Sequence, residues 1–542
     1  MTTATTLKTV AERLAEALAR RGVRRIFGVP GGGSSLDVIE AAAQLGIEFV
    51  LTRDETAAVM MAAATAELSG TPGVALTTKG PGTANAVNGL AYAALDRSPV
   101  LFLTDGFTAA ETRWVTHQVF DQAAMLAPVI KAHGRLEGPD AADEIERLLS
   151  VAMQAPLGPV LVELTSEAAK VRVPAASHAA APARSAPPEE PALSAASALL
   201  SAARRPVVVL GLEAREPDAA AAVRGLVAIL DCPVLATYKA KGVVADDDAH
   251  YVAEFTSGAA EAECVSQADL IVTVGLDPVE LLRQKWRYTA PVVDVALVRH
   301  PVHYVMPAAG LYGSIAASLA LLQPSALRST WTRDEIAALR ARVVALLVCR
   351  TGAGVSPQQI VEIAAAKSAA LAAWPRITVD AGAHMFSAMA YWPCREANDV
   401  LISNGLATMG FALPAAIASG LQEPARTTIA FTGDGGLFMC LAELSTAAQC
   451  GARVVVVVFN DGSLSLIDIK QQQRGLPPRG MRWARPDFAA VMRGLGGRGY
   501  RAASPAEYEV ALEAALGGDG PALIDVTVDP GGYHEQLKAL RG

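Results

Sequence analysis

An α/β fold of three doubly wound parallel-sheet domains is what this sequence predicts, and two patterns carry the prediction. Short apolar runs ending in glycine-rich turns alternate with segments of helical spacing along three stretches of the chain. Two interruptions with little apolar periodicity separate those stretches. The length of 542 residues is also too great for one ordinary core and fits about three domains.

In the first stretch, 1–173, Thr9 to Arg21 has the spacing of an amphipathic helix. Arg25-Ile26-Phe27-Gly28 reads as a strand that meets Pro30-Gly31-Gly32-Gly33. Phe49-Val50-Leu51 is a strand leading to Glu55, Val74 to Thr78 is one ending at Gly80-Pro81-Gly82-Thr83, and Val100 to Leu103 follows. A linker is expected over Pro174 to Pro191, rich in Ala and Pro with Ser177, Ser185 and Pro187-Pro188. The middle stretch, 191–325, has the apolar runs Pro206 to Leu210 and Leu270 to Val274, each reaching a glycine. A second boundary lies near Gln323 to Trp331, before a charged helical run from Arg333 to Arg350. The third stretch, 350–530, repeats the logic of the first. Its strands are Ile377 to Val379, Thr428 to Phe431, Val454 to Phe459 and Ala522 to Val526, with helical spacing from Leu437 to Cys450. Residues 531–542 form a tail, and the final stretch from Asp529 to Gly542 reads as a lid or a frayed end.

The formal charge of -8 argues against nucleic acid as a partner. Apolar residues make up 52%, yet no run reaches the roughly 18 residues that a membrane span needs. The apolarity comes from Ala and Val, as sheets buried on both faces require. The start, Met1-Thr2-Thr3-Ala4, lacks a basic region followed by an apolar block, so no secretion signal is expected. Six scattered cysteines without ligand or disulfide spacing read as reduced thiols of a cytoplasmic protein.

The strongest chemical signal is Gly433-Asp434-Gly435-Gly436 followed, 24 residues on from Gly436, by Asn460-Asp461-Gly462-Ser463. Both clusters end buried apolar runs, so both fall at the carboxyl ends of neighbouring parallel strands, where open α/β sheets bind ligands. Magnesium or calcium takes oxygen ligands, and a diphosphate needs its charge neutralised. Asp434 and Asp461 offer carboxylates and Ser463 a carbonyl oxygen. The glycines allow backbone approach to phosphates, with a helix N-terminus behind them.

These residues resemble the cofactor motif of thiamine diphosphate enzymes, and within them the acetolactate synthase and 2-oxo acid decarboxylase family. Asp461 departs from the usual second Asn but still supplies a metal-binding oxygen. The resemblance implies a pyrimidine-binding, a central Rossmann-like and a diphosphate-binding domain, with thiamine diphosphate and Mg2+ as cofactors. It places Glu55 as the cofactor-activating carboxyl, sharing a proton with the pyrimidine N1′; helix capping by Asp54 and Glu55 is the structural reading of the same turn. Pro30, Gly31 and the loop Gly80, Pro81 to Asn85 match the pyrimidine side. Gly382, Ala383 and His384 match a diphosphate loop in which His384 donates to a phosphate oxygen. Ala407 and Met409 lie in Asn404 to Ala416, the family's most recognisable string, where Met409 props the cofactor into its bent form. Gly433, Asp434, Gly435, Gly436, Asp461, Ser463 and Leu464 complete the cofactor set, with Asp434, Asp461 and Ser463 on the metal.

Substrate-lining positions are Gly32 and Gly33, which leave room near the thiazolium, then His117, Gln118, Leu466, Ile467 and Lys470. Gln118 matches an active-site Gln; His117 is an acid or base, or a rim residue; Lys470 neutralises a substrate carboxylate or is simply solvated. Few proton donors surround the reacting carbon, which favours capture by a second carbonyl. Gly275-Leu276-Asp277-Pro278-Val279-Glu280 stands where an FAD-binding string belongs, so FAD is not expected. The implied activity is decarboxylation of a small 2-oxo acid with or without carboligation, in a homodimer or homotetramer whose active sites lie at the subunit interface. Alternatives are a 2-hydroxyacyl-CoA or oxalyl-CoA lyase of the same fold and a non-catalytic cofactor-binding subunit.

Overall fold

The structure, a computed structural model, describes residues 7–177, 188–281, 284–301, 303–349 and 354–541. The opening Met1 to Ala4, Ser185 and Pro187 of the expected linker, and Arg350 at the end of the charged helical run and the start of the third stretch lie outside the described residues.

Three six-stranded sheets organise the chain, and every strand pairing within them is parallel. The first holds β1 (Arg25–Val29), β2 (Glu48–Leu51), β3 (Gly73–Thr77), β4 (Val100–Asp105), β5 (Ala132–Arg135) and β6 (Val160–Leu164), in the order β2-β1-β3-β4-β6-β5. The second holds β7 (Pro206–Leu210), β8 (Val234–Ala236), β9 (Tyr251–Glu254), β10 (Leu270–Val274), β11 (Val292–Ala296) and β12 (Ala309–Tyr312), in the order β9-β8-β7-β10-β11-β12. The third holds β13 (Arg376–Val379), β14 (Val400–Ile402), β15 (Thr428–Gly433), β16 (Val454–Asn460), β17 (Arg498–Ala502) and β18 (Ala522–Thr527), in the order β14-β13-β15-β16-β18-β17. The first and third sheets therefore share one strand order, while the second follows the dinucleotide-fold order. Central strands such as Val454–Asn460 are buried at every position, which explains their unbroken Val runs.

The chain divides into two compact units. One comprises Met1–Ala183, Gly405–Ala425 and Cys440–Arg453, and so contains the first sheet. Its helix Val10–Arg20 opens on a capping box, in which Glu12 N donates to the Thr9 hydroxyl (3.1 Å) and Thr9 N to the Glu12 carboxylate (2.7 Å). Helix Ala412–Gln422, from the third stretch of the sequence, packs on helix Glu55–Ser69 in this unit. The other unit comprises Arg184–Asn404, Arg426–Met439 and Val454–Gly542 and contains the second and third sheets.

Two expectations need correction. Leu437 to Cys450 is not one helix but two, Asp434–Cys440 and Glu443–Gln449. Turn hydrogen bonds such as Leu444 N to Leu441 O (3.2 Å) carry the helical period across the break, so periodicity does not reveal it. The tail is not frayed. Tyr533–Arg541 is a helix with Tyr533 and Gln536 buried. It is docked by Gln536 Nε2 donating to Leu347 O (2.8 Å) and Ala259 N to Leu540 O (2.9 Å).

Candidate active site

In the second unit, β15 and β16 are adjacent and in register, and both polar clusters sit at their carboxyl ends. Folding ties the clusters together directly. Gly462 N donates to Asp434 Oδ2 and Gly435 N to Asp434 Oδ1, each at 2.8 Å. Asp461 Oδ2 accepts from the Ser465 hydroxyl (2.6 Å), and its Oδ1 from Ser463 N (3.0 Å). Burial, then the charge of Asp461, pushes the Asp434 carboxyl up to about 7. Burial raises Asp461 as well. A buried Asp434 raised by the charge of a half-buried Asp461 fits a divalent cation, which would let both ionise. Gly436 lies so close to Asp380 that a Cβ there would stand 2.4 Å from its carboxylate, which explains the glycine.

His384 lies beside this pair. A Cβ on Gly433 would stand 3.4 Å from its imidazole and one on Gly382 2.7 Å. The ring is buried, with Nε2 lacking a hydrogen-bond partner, and burial lowers its pKa to about 4. A buried ring nitrogen without a partner fits an anionic oxygen, to which the protonated ring donates, so the residues present suit a metal–diphosphate pair. Ala383 is buried next to it.

Leu464 caps helix Ser465–Gln473 and donates its N–H to Met481 O (2.9 Å). Leu466 is half-buried, Ile467 and Lys470 exposed. The segment that holds this loop, with Trp483 N donating to Gly462 O (2.9 Å), carries no motif and escaped the sequence reading.

In the first unit, the order β2-β1-β3 puts a switch point between Pro30–Gly33, after β1, and the Gly80 loop, after β3. Gly80 has φ +72, and a Cβ there would stand 2.9 Å from Gln118 Cβ, so glycine is required twice over. Gln118, itself at φ +61, and His117 are exposed in this segment. Asn85 Nδ2 donates to Glu55 Oε2 (2.6 Å) and Asp54 Oδ2 (2.7 Å). Asp54 also caps the helix through Ala57 N (3.0 Å), so the capping reading of this turn holds for Asp54. Glu55 is half-buried within its unit. Ala407 takes φ +55, and Met409 is half-buried near it.

Of the two glycines expected to leave room, only Gly32 faces open space. At Gly33 a Cβ would meet Ser166 Oγ at 2.8 Å, so that glycine serves close packing, with Asp105 also alongside. Gln122 was missed altogether. Buried, it accepts from Gly80 N (2.9 Å) and the Thr83 hydroxyl (2.7 Å) and donates to Glu163 (2.9 Å), fixing the Gly80 loop. No sequence pattern marks it, because its partners come from three separate segments.

Among the described residues no helix is long and apolar enough to cross a membrane. Three family profiles match in order: the thiamine pyrophosphate enzyme N-terminal TPP binding domain over 8–125, the central domain over 193–322 and the C-terminal TPP binding domain over 380–526. The chain is 30% identical to a catabolic acetolactate synthase of Raoultella terrigena, across 96% of this chain and 95% of that protein. It is 28% identical to the acetolactate synthase of Bacillus subtilis, across 96% and 93%. It is 29% identical to the acetolactate synthase isozyme 3 large subunit of Escherichia coli, across 98% and 96%.

Proposed function

We propose that this chain, which belongs to the thiamine pyrophosphate enzyme family and is acetolactate synthase-like, decarboxylates a small 2-oxo acid and passes the retained acyl unit to an acceptor carbonyl. The observation that carries this reading is the pairing of buried Asp434 with half-buried Asp461 beside the unpartnered His384 Nε2.

In this reading Asp434, Asp461 and the Ser463 carbonyl hold Mg2+, and His384 donates to a diphosphate oxygen. Thiamine diphosphate supplies, when bound, the nucleophilic carbon and electron sink that cleavage next to a carbonyl needs. Glu55 holds and returns a proton at the aminopyrimidine N1′, and Asn85 Nδ2 fixes the Oε2 that faces it. Met409 backs the ring, and Gly32 leaves space for substrate. Gln118 and His117 line the substrate side with Leu466, Ile467 and Lys470.

Residues 1–173 serve as the pyrimidine domain, 191–325 as the central domain, 350–530 as the diphosphate domain and 531–542 as a docked tail. Two copies, or two pairs, form the working enzyme, with Glu55 of one protomer serving the diphosphate site of another. That arrangement accounts for a Glu55 only half-buried in its own unit. FAD has no place in this reading. Buried Glu280 accepts from Leu212 N (2.8 Å) after β7, the position where a dinucleotide phosphate takes its amide hydrogens. Six free cysteines support a cytoplasmic enzyme.

The test is a screen of 2-oxo acids with thiamine diphosphate and Mg2+, scored for carbon dioxide and for acyloin products. Acyloin formation is expected from colourless protein. Free aldehyde as the sole product would contradict carboligation, and a flavin absorbance band would contradict the cofactor set. Glu55→Gln is expected to cut turnover by about a hundredfold or more while coenzyme binding persists.

A further inference from the structure

The middle sheet carries a second group of ligand-type side chains that the reading above does not use. Its strand order puts the switch point between β7 and β10. Glu213 follows β7, Asp277 follows β10 and His300 follows β11. One ligand-type atom from each lies within 4.8 Å of the others. His300 Nε2 is 3.7 Å from Glu213 Oε1, and His300 Nδ1 is 3.9 Å from Asp277 Oδ1. Both separations exceed a hydrogen bond. The two contacts use opposite ring nitrogens, and a metal takes only one of them. Two donors about 2.1 Å from a tetrahedral metal stand about 3.4 Å apart, so from within 4.8 Å the three ligand atoms must close by at most about 1.4 Å. The three side chains are at most 4% exposed, which rules out an ordinary solvated acidic patch.

Backbone N–H groups anchor both carboxylates, Glu213 on the oxygen away from His300 and Asp277 on the Oδ1 that faces it. Glu213 Oε2 accepts from Leu297 N (2.8 Å), which leaves Oε1 as the oxygen nearest His300. Asp277 heads a capping box with Glu280 and accepts from Val279 N (3.0 Å). His303, half-buried after β11, offers a further unpartnered donor nearby. His303 accepts Val305 N at Nδ1 (3.3 Å), so its neutral ring carries hydrogen on Nε2, and that buried Nε2 has no hydrogen-bond partner. Asp294, His300 and Asp277 all lie within electrostatic reach of this ring. An imidazole N–H of that kind suits a hydrogen bond to a ligand carboxylate or to a metal-bound water.

We propose that Glu213, Asp277 and His300 bind a divalent first-row transition metal of the zinc class, pinning together the loops that follow β7, β10 and β11. One nitrogen with two carboxylates selects zinc, manganese or cobalt over magnesium and calcium, which favour all-oxygen shells like that of Asp434 and Asp461. The competing arrangement is a protonated His300 clasped between two carboxylates with no metal.

The probe is zinc. Full-length protein is stripped with a chelator, reloaded with thiamine diphosphate and excess magnesium, titrated with zinc chloride and passed through gel filtration, and the retained metal is counted by mass spectrometry. About one zinc per chain is expected in the wild type and in Asp434→Asn, with affinity about tenfold or more weaker in Glu213→Gln and His300→Gln. Wild type retaining no zinc, or both variants retaining as much as wild type, would overturn the proposal. If a variant fails to fold, cobalt-loaded wild type decides. A paramagnetically shifted imidazole N–H signal supports histidine ligation, and bound cobalt without that signal overturns it.

Discussion

At His384, burial and the expected ligand pull in opposite directions. Burial holds the imidazole at about 4, below its ordinary 6.5. The unfolded chain therefore takes up the proton first as pH falls. Stability from this site is complete above the unfolded value and is lost as pH drops toward the folded one. Without coenzyme, the protein is expected to lose about 2 kcal/mol between about pH 7 and pH 5 from this residue. Urea denaturation of wild type and His384→Gln at the two pH values measures it, and the variant should show a smaller loss. Saturating thiamine diphosphate and Mg2+ should shrink the wild-type loss, because a phosphate beside Nε2 favours the charged ring. Ala407 gives a second test at this scale. Its φ of +55 is strained for any residue with a Cβ. Ala407→Gly is expected to stabilise the protein by up to about 1 kcal/mol, read as a higher denaturation midpoint. The residue types of the site, such as Asp434, Asp461 and His384, were legible because their chemistry is local to a motif. Their partners were not. The Gly462 N–H on Asp434, or the Ser166 hydroxyl that makes Gly33 a packing glycine, exists only once distant segments meet.

At the scale of elements, Gln122 decides whether the Gly80 loop holds its shape. Gln122→Ala strips acceptors from Gly80 N and the Thr83 hydroxyl and the donor from Glu163. A loss of about 2–3 kcal/mol is expected, with weaker coenzyme binding; unchanged values in both would show that the loop is set elsewhere. Long buried strands such as Val100–Asp105 and Val454–Asn460 were legible from their apolar runs, while Val160–Leu164 and Val292–Ala296 were passed over. Several edge strands were not: Ala132–Arg135 and Arg498–Ala502 are polar and partly exposed, and Val400–Ile402 is too short to register. The helical break after Cys440 left the period intact and so left no mark. The C-terminal helix looked like a tail because its anchors, Leu347 and Ala259, lie far away in the chain.

At the scale of the molecule, the shared order of the first and third sheets was visible only as alternating elements. Nothing in a linear pattern states which strands become neighbours. The proposed assembly has a direct consequence. If Glu55 of one protomer serves the site of another, two inactive proteins, Glu55→Gln and Asp434→Asn, should complement each other when mixed and reassembled. Random pairing restores one intact site in each mixed dimer, or about a quarter of wild-type activity. No recovery would place both residues in the same protomer's site.

The most direct test of the central claim is calorimetric titration of thiamine diphosphate, in the presence of Mg2+, into wild type, Asp434→Asn and Asp461→Ala. The account expects saturable binding by the wild type that requires the metal, and affinity reduced at least about tenfold in each variant. Equal binding by all three, or wild-type binding indifferent to Mg2+, would contradict it.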